Sequence, residues 1–322
     1  MKAAVYSETG PPSVLRYEDV PDPSVGPGTV LVRNQAISIE GGDVLHRSGG
    51  ELGRVPHVVG YQSAGTVEAV GDGVTSVTVG DRVVTVGVDG SHAELRVVPE
   101  GFTWLIPDAL STDDAATAPV PFGTAHDALF EFGRLTDGET VLVQAGAGGV
   151  GVAAIQLAKR AGARVLTTAS SPAKLARLAE LGTDAGIDYS EQDTVTEVLR
   201  LTDGRGVDLV VDTVGGSAMT DNVRCLAYRG RCVSVGEVGR EGATTIDVGM
   251  LRPKNLTVVG YFMGMEMLMS PRCHDVVARV LDDLAVGELH AVIDRTFPLS
   301  EAADAHAYIE SRAAVGRVLL RP

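Results

Sequence analysis

Val141-Leu-Val-Gln-Ala-Gly-Ala-Gly-Gly-Val-Gly-Val-Ala-Ala-Ile-Gln-Leu-Ala-Lys159 is the stretch on which the reading of this chain turns. Val141 to Val143 is a short apolar run of the kind a buried parallel strand carries. From Val150 the apolar spacing becomes helical, so that Val150, Ala153, Ala154, Leu157 and Ala158 can share one face. Between the two lies Gly146-x-Gly148-x-x-Gly151, the spacing of a dinucleotide fingerprint. Gly146 permits the tight turn, Gly148 leaves room for a pyrophosphate against the backbone, and Gly151 lets helix and strand pack closely. The unpaired N–H groups of the helix start would receive the phosphate charge. A glycine-rich structural turn is the alternative, but a legible strand before it and helix after it favour the dinucleotide.

Outward from that turn, residues 124 to about 261 read as βα repeats. Strands are expected at Arg164–Thr168, Asp184–Tyr189, Val207–Asp212, Arg231–Val235 and Leu256–Val259. Helices are expected at Thr124–Phe132, from Ser171-Pro172 through Leu181, at Thr194–Leu201 and at Met219–Leu226. That alternation predicts an α/β domain, a doubly wound parallel sheet of the Rossmann type with its ligand crevice beyond the strand ends. Residues 1 to about 123 carry short β-like runs instead: Lys2–Tyr6, Thr29–Ala36, Ser63–Gly71, Val83–Val86 and Ala93–Val98. They predict a compact β-rich domain, followed by a cap at Ser111-Thr-Asp-Asp-Ala. From about 262 the chain offers a helix over Pro271–Leu284, a strand at Ile293–Phe297, a helix from Ser300 and a last strand at Gly316–Leu320. Ser300 fits an N-cap there, with Asp304 and His306 expected on the solvated side.

The chain has 322 residues, is 44% hydrophobic and carries a formal charge of −15. Two cores fit that length, and the acidic balance argues against a nucleic-acid partner. Cys225, Cys232 and Cys273 are too few and too scattered for a disulfide framework or a zinc module. No apolar run is long enough to span a bilayer, and the start has no signal-peptide core, so a cytoplasmic protein is expected.

An acid near the end of the second strand would hold the ribose of NAD. Val165-Leu-Thr-Thr-Ala-Ser-Ser-Pro-Ala-Lys174 has none there. Ser170, Ser171 and Lys174, with Arg177 one turn on, suit a 2′-phosphate and therefore NADPH. The alternative is that the serines cap a helix and Lys174 faces water.

These motifs come in a familiar order. Pro56-His-Val-Val-Gly60 leads into Gly65-x-Val67, followed by Val79-Gly-Asp-Arg-Val83, the Ala145–Gly151 loop, Val211-Asp-Thr-Val-Gly-Gly216 and the ending Phe297-Pro-Leu through Gly316-Arg-Val-Leu-Leu320. Over almost its whole length the chain resembles the zinc-free quinone oxidoreductase branch of the medium-chain dehydrogenases/reductases, the group that includes zeta-crystallin. The resemblance implies a discontinuous GroES-like catalytic domain (1–123 with 262–322), a Rossmann domain (124–261), an active cleft between them and a homodimer paired around Leu256–Val259. It assigns the pyrophosphate to Ala147, Gly148, Gly149 and Val150, and the 2′-phosphate to Ser170, Lys174 and Tyr189. Val214, Val235, Gly236 and Phe262 are placed along the ribose or nicotinamide. Thr124 lies beside the nicotinamide or N-caps its helix. Arg317 closes the adenine or phosphate side or is a surface residue of the last strand.

Zinc-dependent relatives hold their catalytic ion at positions matched here by Glu40, Tyr61 with Gln62, and Val120. That is a poor zinc set, so no metal is expected. The implied activity is NADPH-dependent reduction of a small apolar quinone or activated α,β-unsaturated carbonyl. A specialised enoyl or enone reductase of secondary metabolism and a crystallin-like NADPH-binding non-enzyme are the alternatives. Tyr61 is a candidate proton donor, alternatively a packing residue. Glu40 departs from the asparagine common in these relatives: it is a candidate catalytic carboxylate or, alternatively, a solvated partner of Arg47. Gly41 and Gly42 remove bulk beside the expected substrate space. Met263, Met265, Met267 and Met269 suit an adaptable apolar pocket or ordinary interface packing, on a segment that fits an extended strand as well as a helix.

Overall fold

The computed structural model describes residues 1–239, 241 and 244–322. In chain order its strands and helices are β1 (Lys2–Tyr6), β2 (Arg16–Asp19), β3 (Thr29–Ser38), α1 (Gly41–Gly49), β4 (His57–Val58), β5 (Gln62–Val70), β6 (Arg82–Val86), β7 (Leu95–Pro99), β8 (Thr103–Leu105), α2 (Thr112–Ala116) and α3 (Pro119–His126). They continue as β9 (Thr140–Val143), α4 (Gly149–Arg160), β10 (Arg164–Ala169), α5 (Pro172–Glu180), β11 (Ala185–Asp188), α6 (Thr194–Leu201), β12 (Val207–Asp212), α7 (Ala218–Cys225), β13 (Leu226–Ser234), β14 (Thr257–Gly260) and α8 (Met263–Met269). The chain closes with α9 (Arg272–Ala285), β15 (Ile293–Pro298), α10 (Ala302–Glu310) and β16 (Arg317–Arg321). It divides into two compact units, Met1–Val120 with Met267–Pro322, and Pro121–Glu266.

The second unit is a parallel sheet in the order β11-β10-β9-β12-β13-β14. The order reverses at β9, the strand before the glycine turn, which is where open α/β sheets bind ligands. β9 is buried along its whole length. Leu142, Leu166, Ile187 and Val210 share one apolar core with Val198 of α6 and Val223 of α7.

The first unit holds a three-stranded sheet, β2-β1-β4, and a larger sheet in which β15-β16-β3-β5-β6-β8 run side by side and β7 also pairs β3. The tail returns to this unit through β16, which pairs antiparallel with β3 at Leu319↔Ser38 and Leu320↔Ile37. Ile37, Ile39 and Val44 share a buried cluster with Leu299, Ala305, Val318 and Leu320 of that tail. The structure adds β2, β4, β8 and α1 to the five β-like runs legible in the sequence.

Two local expectations are corrected. Ser300 does not cap α10: residues Leu299–Glu301 form a 3-10 turn and the helix starts at Ala302. Asp304 is exposed as expected, but His306 is fully buried. Residues two apart on a helix are ~200° apart around its axis and cannot share a face. The methionine-rich segment is helical, α8, with Met263 buried and Phe262, Met265, Leu268 and Met269 exposed.

Candidate active site

The glycine turn of the second unit is built from backbone. Ala145 takes φ +49°, its N–H donates to Thr168 Oγ1 at 3.0 Å, and Gly146 N donates to Thr168 O at 2.9 Å. Gly148 N donates to Ala145 O at 2.9 Å and is the N-cap of α4. A Cβ on Gly146 would lie 2.0 Å from Thr167 Oγ1; one on Gly151 would lie 2.6 Å from Ala145 O and from Gly146 Cα. Gly148 meets nothing closer than 3.3 Å and is exposed, with Gly149 and Val150 half-buried beside it. The outer glycines are thus needed for packing, while the middle one leaves open space over N–H groups that have no intrahelical acceptor. Those residues fit a pyrophosphate. Gly151→Ala sets Cβ against backbone that has no rotamer to yield. It should cost about 1–3 kcal/mol of strain, read as a lower denaturation midpoint than that of Gly148→Ala.

Beneath the turn, Thr168 Oγ1 donates to Gln144 Oε1 at 2.7 Å and Gln144 Nε2 donates to Asn222 Oδ1 at 2.7 Å. Asp212, at the end of β12, accepts Val214 N at 3.0 Å and Gly215 N at 3.1 Å. Burial raises its pKa, with these donors opposing the shift. The strand ends that form the cradle are therefore tied together by polar groups that the sequence reading does not single out. Val214, Val235 and Gly236 follow the ends of β12 and β13 and are half-buried. Thr124 is not an N-cap: it lies inside α3, buried, with its hydroxyl donating to Met263 Sδ at 3.4 Å. At the end of β10 Ser171 caps α5, accepting from Lys174 N at 3.4 Å. Ser170 and Lys174 are half-buried and Tyr189 is exposed. The neighbouring acid Asp188 is turned onto Ser190, whose N–H and Oγ donate to its Oδ1 at 3.0 and 2.6 Å.

In the first unit, Glu40 is neither solvated nor bound to Arg47. It is buried and ion-paired with Arg317, whose guanidinium also donates to Ser38 Oγ and Ile39 O. Arg47 pairs with Glu310 instead. The surface role considered for Arg317 is overturned by its burial. Its donation to Ser38, Ile39 and Glu40 in this unit also leaves the adenine- or phosphate-side role without support. Gln62 Nε2 donates to Glu40 Oε1 at 2.6 Å, and Val120 N donates to Gln62 Oε1 at 2.8 Å. Asp43 accepts Glu40 N at 2.8 Å and Tyr61 N at 3.1 Å. Two buried carboxyl groups meet here: Arg317 faces both, and Asp43 is also within reach of the Arg96 charge. Burial raises both, Asp43 to about 8. Burial and then the neighbouring Asp43 push the Tyr61 phenol up to about 12, which keeps it a donor.

Zinc fits these positions poorly. One carboxylate, an amide, a phenol and a valine replace thiolate and imidazole, and a guanidinium already neutralises the carboxylate. Among the described residues no group of three or more His, Cys, Asp or Glu is arranged to hold a metal. No helix among them is long and apolar enough to cross a membrane.

Two family descriptions match the chain: alcohol dehydrogenase GroES-like domain over residues 26–108, and zinc-binding dehydrogenase over residues 149–282. A 2-haloacrylate reductase from a Burkholderia species is 34% identical over 99% of this chain and 98% of its own length. A quinone oxidoreductase from Pseudomonas aeruginosa is 34% identical over 100% of this chain and 99% of its own. Among solved structures, Escherichia coli quinone oxidoreductase complexed with NADPH superposes with a TM-score of 0.95 at 28% identity, covering 100% of both chains.

Proposed function

Because this chain belongs to the quinone oxidoreductase family of the medium-chain dehydrogenases/reductases, we propose that it is an NADPH-dependent reductase of quinones or activated α,β-unsaturated carbonyls that works without zinc. The observation that carries the reading is the glycine cradle at the carboxyl end of β9, next to a β10 end with Ser170, Ser171 and Lys174 in place of an acid. Bound NADPH supplies the hydride. The cradle N–H groups hold the pyrophosphate, with Gly146, Ala147, Gly148, Gly149, Val150 and Gly151 forming its wall. Lys174 and Ser170 take the 2′-phosphate, with Tyr189 beside them. Thr124, Val214, Val235, Gly236 and Phe262 position the nicotinamide ribose and ring. Hydride addition to a conjugated acceptor leaves negative charge on its oxygen, which a hydrogen-bond donor must meet. Tyr61 is that donor in this reading, and Glu40 orders the cluster behind it.

Turnover of NADPH against quinones, enones and 2-haloacrylates, with the products identified, tests the reaction. Absence of NADPH oxidation with every acceptor would sink it. The Burkholderia relative's name favours the alkene arm, which is selected if a carbon–carbon double bond is saturated while quinones are untouched. Lys174→Ala should weaken NADPH about tenfold or more, as loss of a charge-assisted contact does, and leave NADH within about twofold. Equal losses in fluorescence titrations would remove the phosphate-selective role. A cytosolic homodimer joined along the β14 edges completes the reading. Analytical ultracentrifugation of a variant with proline in β14 would show monomers.

A further inference from the structure

Resting on Tyr61 as the donor, the geometry points to Gly42 as the positioning residue that seats its hydroxyl. The space left by the missing side chain of Gly42 is not open to substrate, as the sequence suggests; the Tyr61 ring fills it. A Cβ on Gly42 would lie 2.3 Å from Tyr61 Cε2, 2.8 Å from its hydroxyl oxygen and 2.9 Å from Cζ. Such separations are too short for real carbon contacts, so the phenol rests directly on the backbone of the first turn of α1.

The main chain of Tyr61 cannot yield instead. Its N–H donates to Asp43 Oδ1 at 3.1 Å, and its carbonyl accepts from Arg96 Nη2 at 2.8 Å and Gly87 N at 2.8 Å. The preceding residue, Gly60, has φ +122° and packs so closely that a Cβ there would lie 1.9 Å from Ser91 Oγ. Asp43 accepts from Glu40 N through its other oxygen, so one carboxyl group fixes the start of α1 and the tyrosine together. Arg96 is buried and donates to the carbonyls of Gly60, Tyr61 and Asp89. With the backbone pinned on both sides, the coordinate left for relief is the ring itself. Any methyl group at position 42 must rotate the ring and carry the hydroxyl with it.

The consequence is a position at which the smallest possible substitution acts on the proton donor alone. A misplacement of about 1 Å costs on the order of 10²-fold in rate. A double-mutant cycle in kcat, with whichever acceptor supports turnover, tests it. Tyr61→Phe is expected to lower kcat by ~10²-fold or more. Gly42→Ala is expected to lower it by ~10- to 100-fold, with NADPH affinity unchanged, and to add nothing in the Tyr61→Phe background. Full activity in Tyr61→Phe overturns the donor reading itself. A loss in Tyr61→Phe with full activity in Gly42→Ala, or losses that multiply in the double variant, overturns the seat alone. Should Gly42→Ala fail to fold, Gly42→Ala/Tyr61→Ala replaces it. Folding with the denaturation midpoint of Tyr61→Ala supports the seat, and failure to fold places the clash elsewhere and overturns it.

Discussion

Arg317→Ala should destabilise the first unit by about 3–5 kcal/mol, the usual result of removing one partner of a buried ion pair. The arginine is buried and comes from β16, while Glu40 precedes α1 and is itself 4% exposed. Without the guanidinium, Glu40 keeps the Gln62 amide as a donor but loses its ion-pair partner. The pair cannot be scored as simple stabilisation. Burial raises the Glu40 pKa even with Arg317 present, so desolvation outweighs the attraction. The sign of the pH dependence follows. A carboxyl group whose folded pKa is raised takes up a proton in the folded state first as pH falls, which removes the unpaired charge. The deficit of Arg317→Ala should therefore be largest near pH 8 and shrink as the solution is acidified. Glu40→Gln/Arg317→Met, which removes both charges, should lose less than Arg317→Ala. Urea denaturation at two pH values measures all three. Wild-type stability in Arg317→Ala would show that the pair holds nothing.

That pair also marks where the sequence stops being legible. The β9 turn and α4 can be read because their signals are local: three glycines at fixed spacing and a change of apolar period within one stretch. The strands and helices around them follow the same local rules, and the Rossmann sheet and the cap at Ser171 are visible for that reason. Glu40 and Arg317 are 277 residues apart, and neither carries a neighbour that announces the other. Gln62 reads in the sequence as a residue unsuited to zinc, not as the link between Glu40 and the start of α3. Thr124 reads as a possible N-cap because a threonine hydroxyl suits that position. In a first turn, whose N–H groups have no intrahelical acceptor, prolines are tolerated, and α3 begins at Pro119. Gly42 looks like removed bulk because a sequence shows an absent side chain but not the ring that takes its room.

His306→Gln should lose its cost as pH falls, and the size of that change makes it the second decisive experiment. Arg47 Nε donates to His306 Nδ1 at 3.3 Å, so His306 carries its proton on Nε2. That Nε2 lies 3.1 Å from His92 Nε2, which must accept, leaving the His92 proton on Nδ1 towards Ser91 Oγ at 3.3 Å. Both imidazoles are fully buried and neutral. Burial, then the Arg96 charge, drops His92 to about 3. Burial, then His92 and Arg47, lowers His306 well below its ordinary value. Above pH 6.5 neither histidine is charged in either state, and their contribution to stability is intact. Below it the unfolded chain binds protons that the folded chain refuses, and stability falls by up to ~1.4 kcal/mol per pH unit for each. Asp43 works in the opposite sense, since its folded pKa of about 8 lies above the unfolded one. Wild-type stability alone therefore mixes the two. The difference between wild type and His306→Gln isolates one imidazole: it should narrow by up to ~1.4 kcal/mol per unit from about pH 6.5 downwards. A difference that stays constant between about pH 8 and about pH 5, a window spanning the ordinary histidine range, would mean that His306 is charged in the folded protein, against its burial beside Arg47.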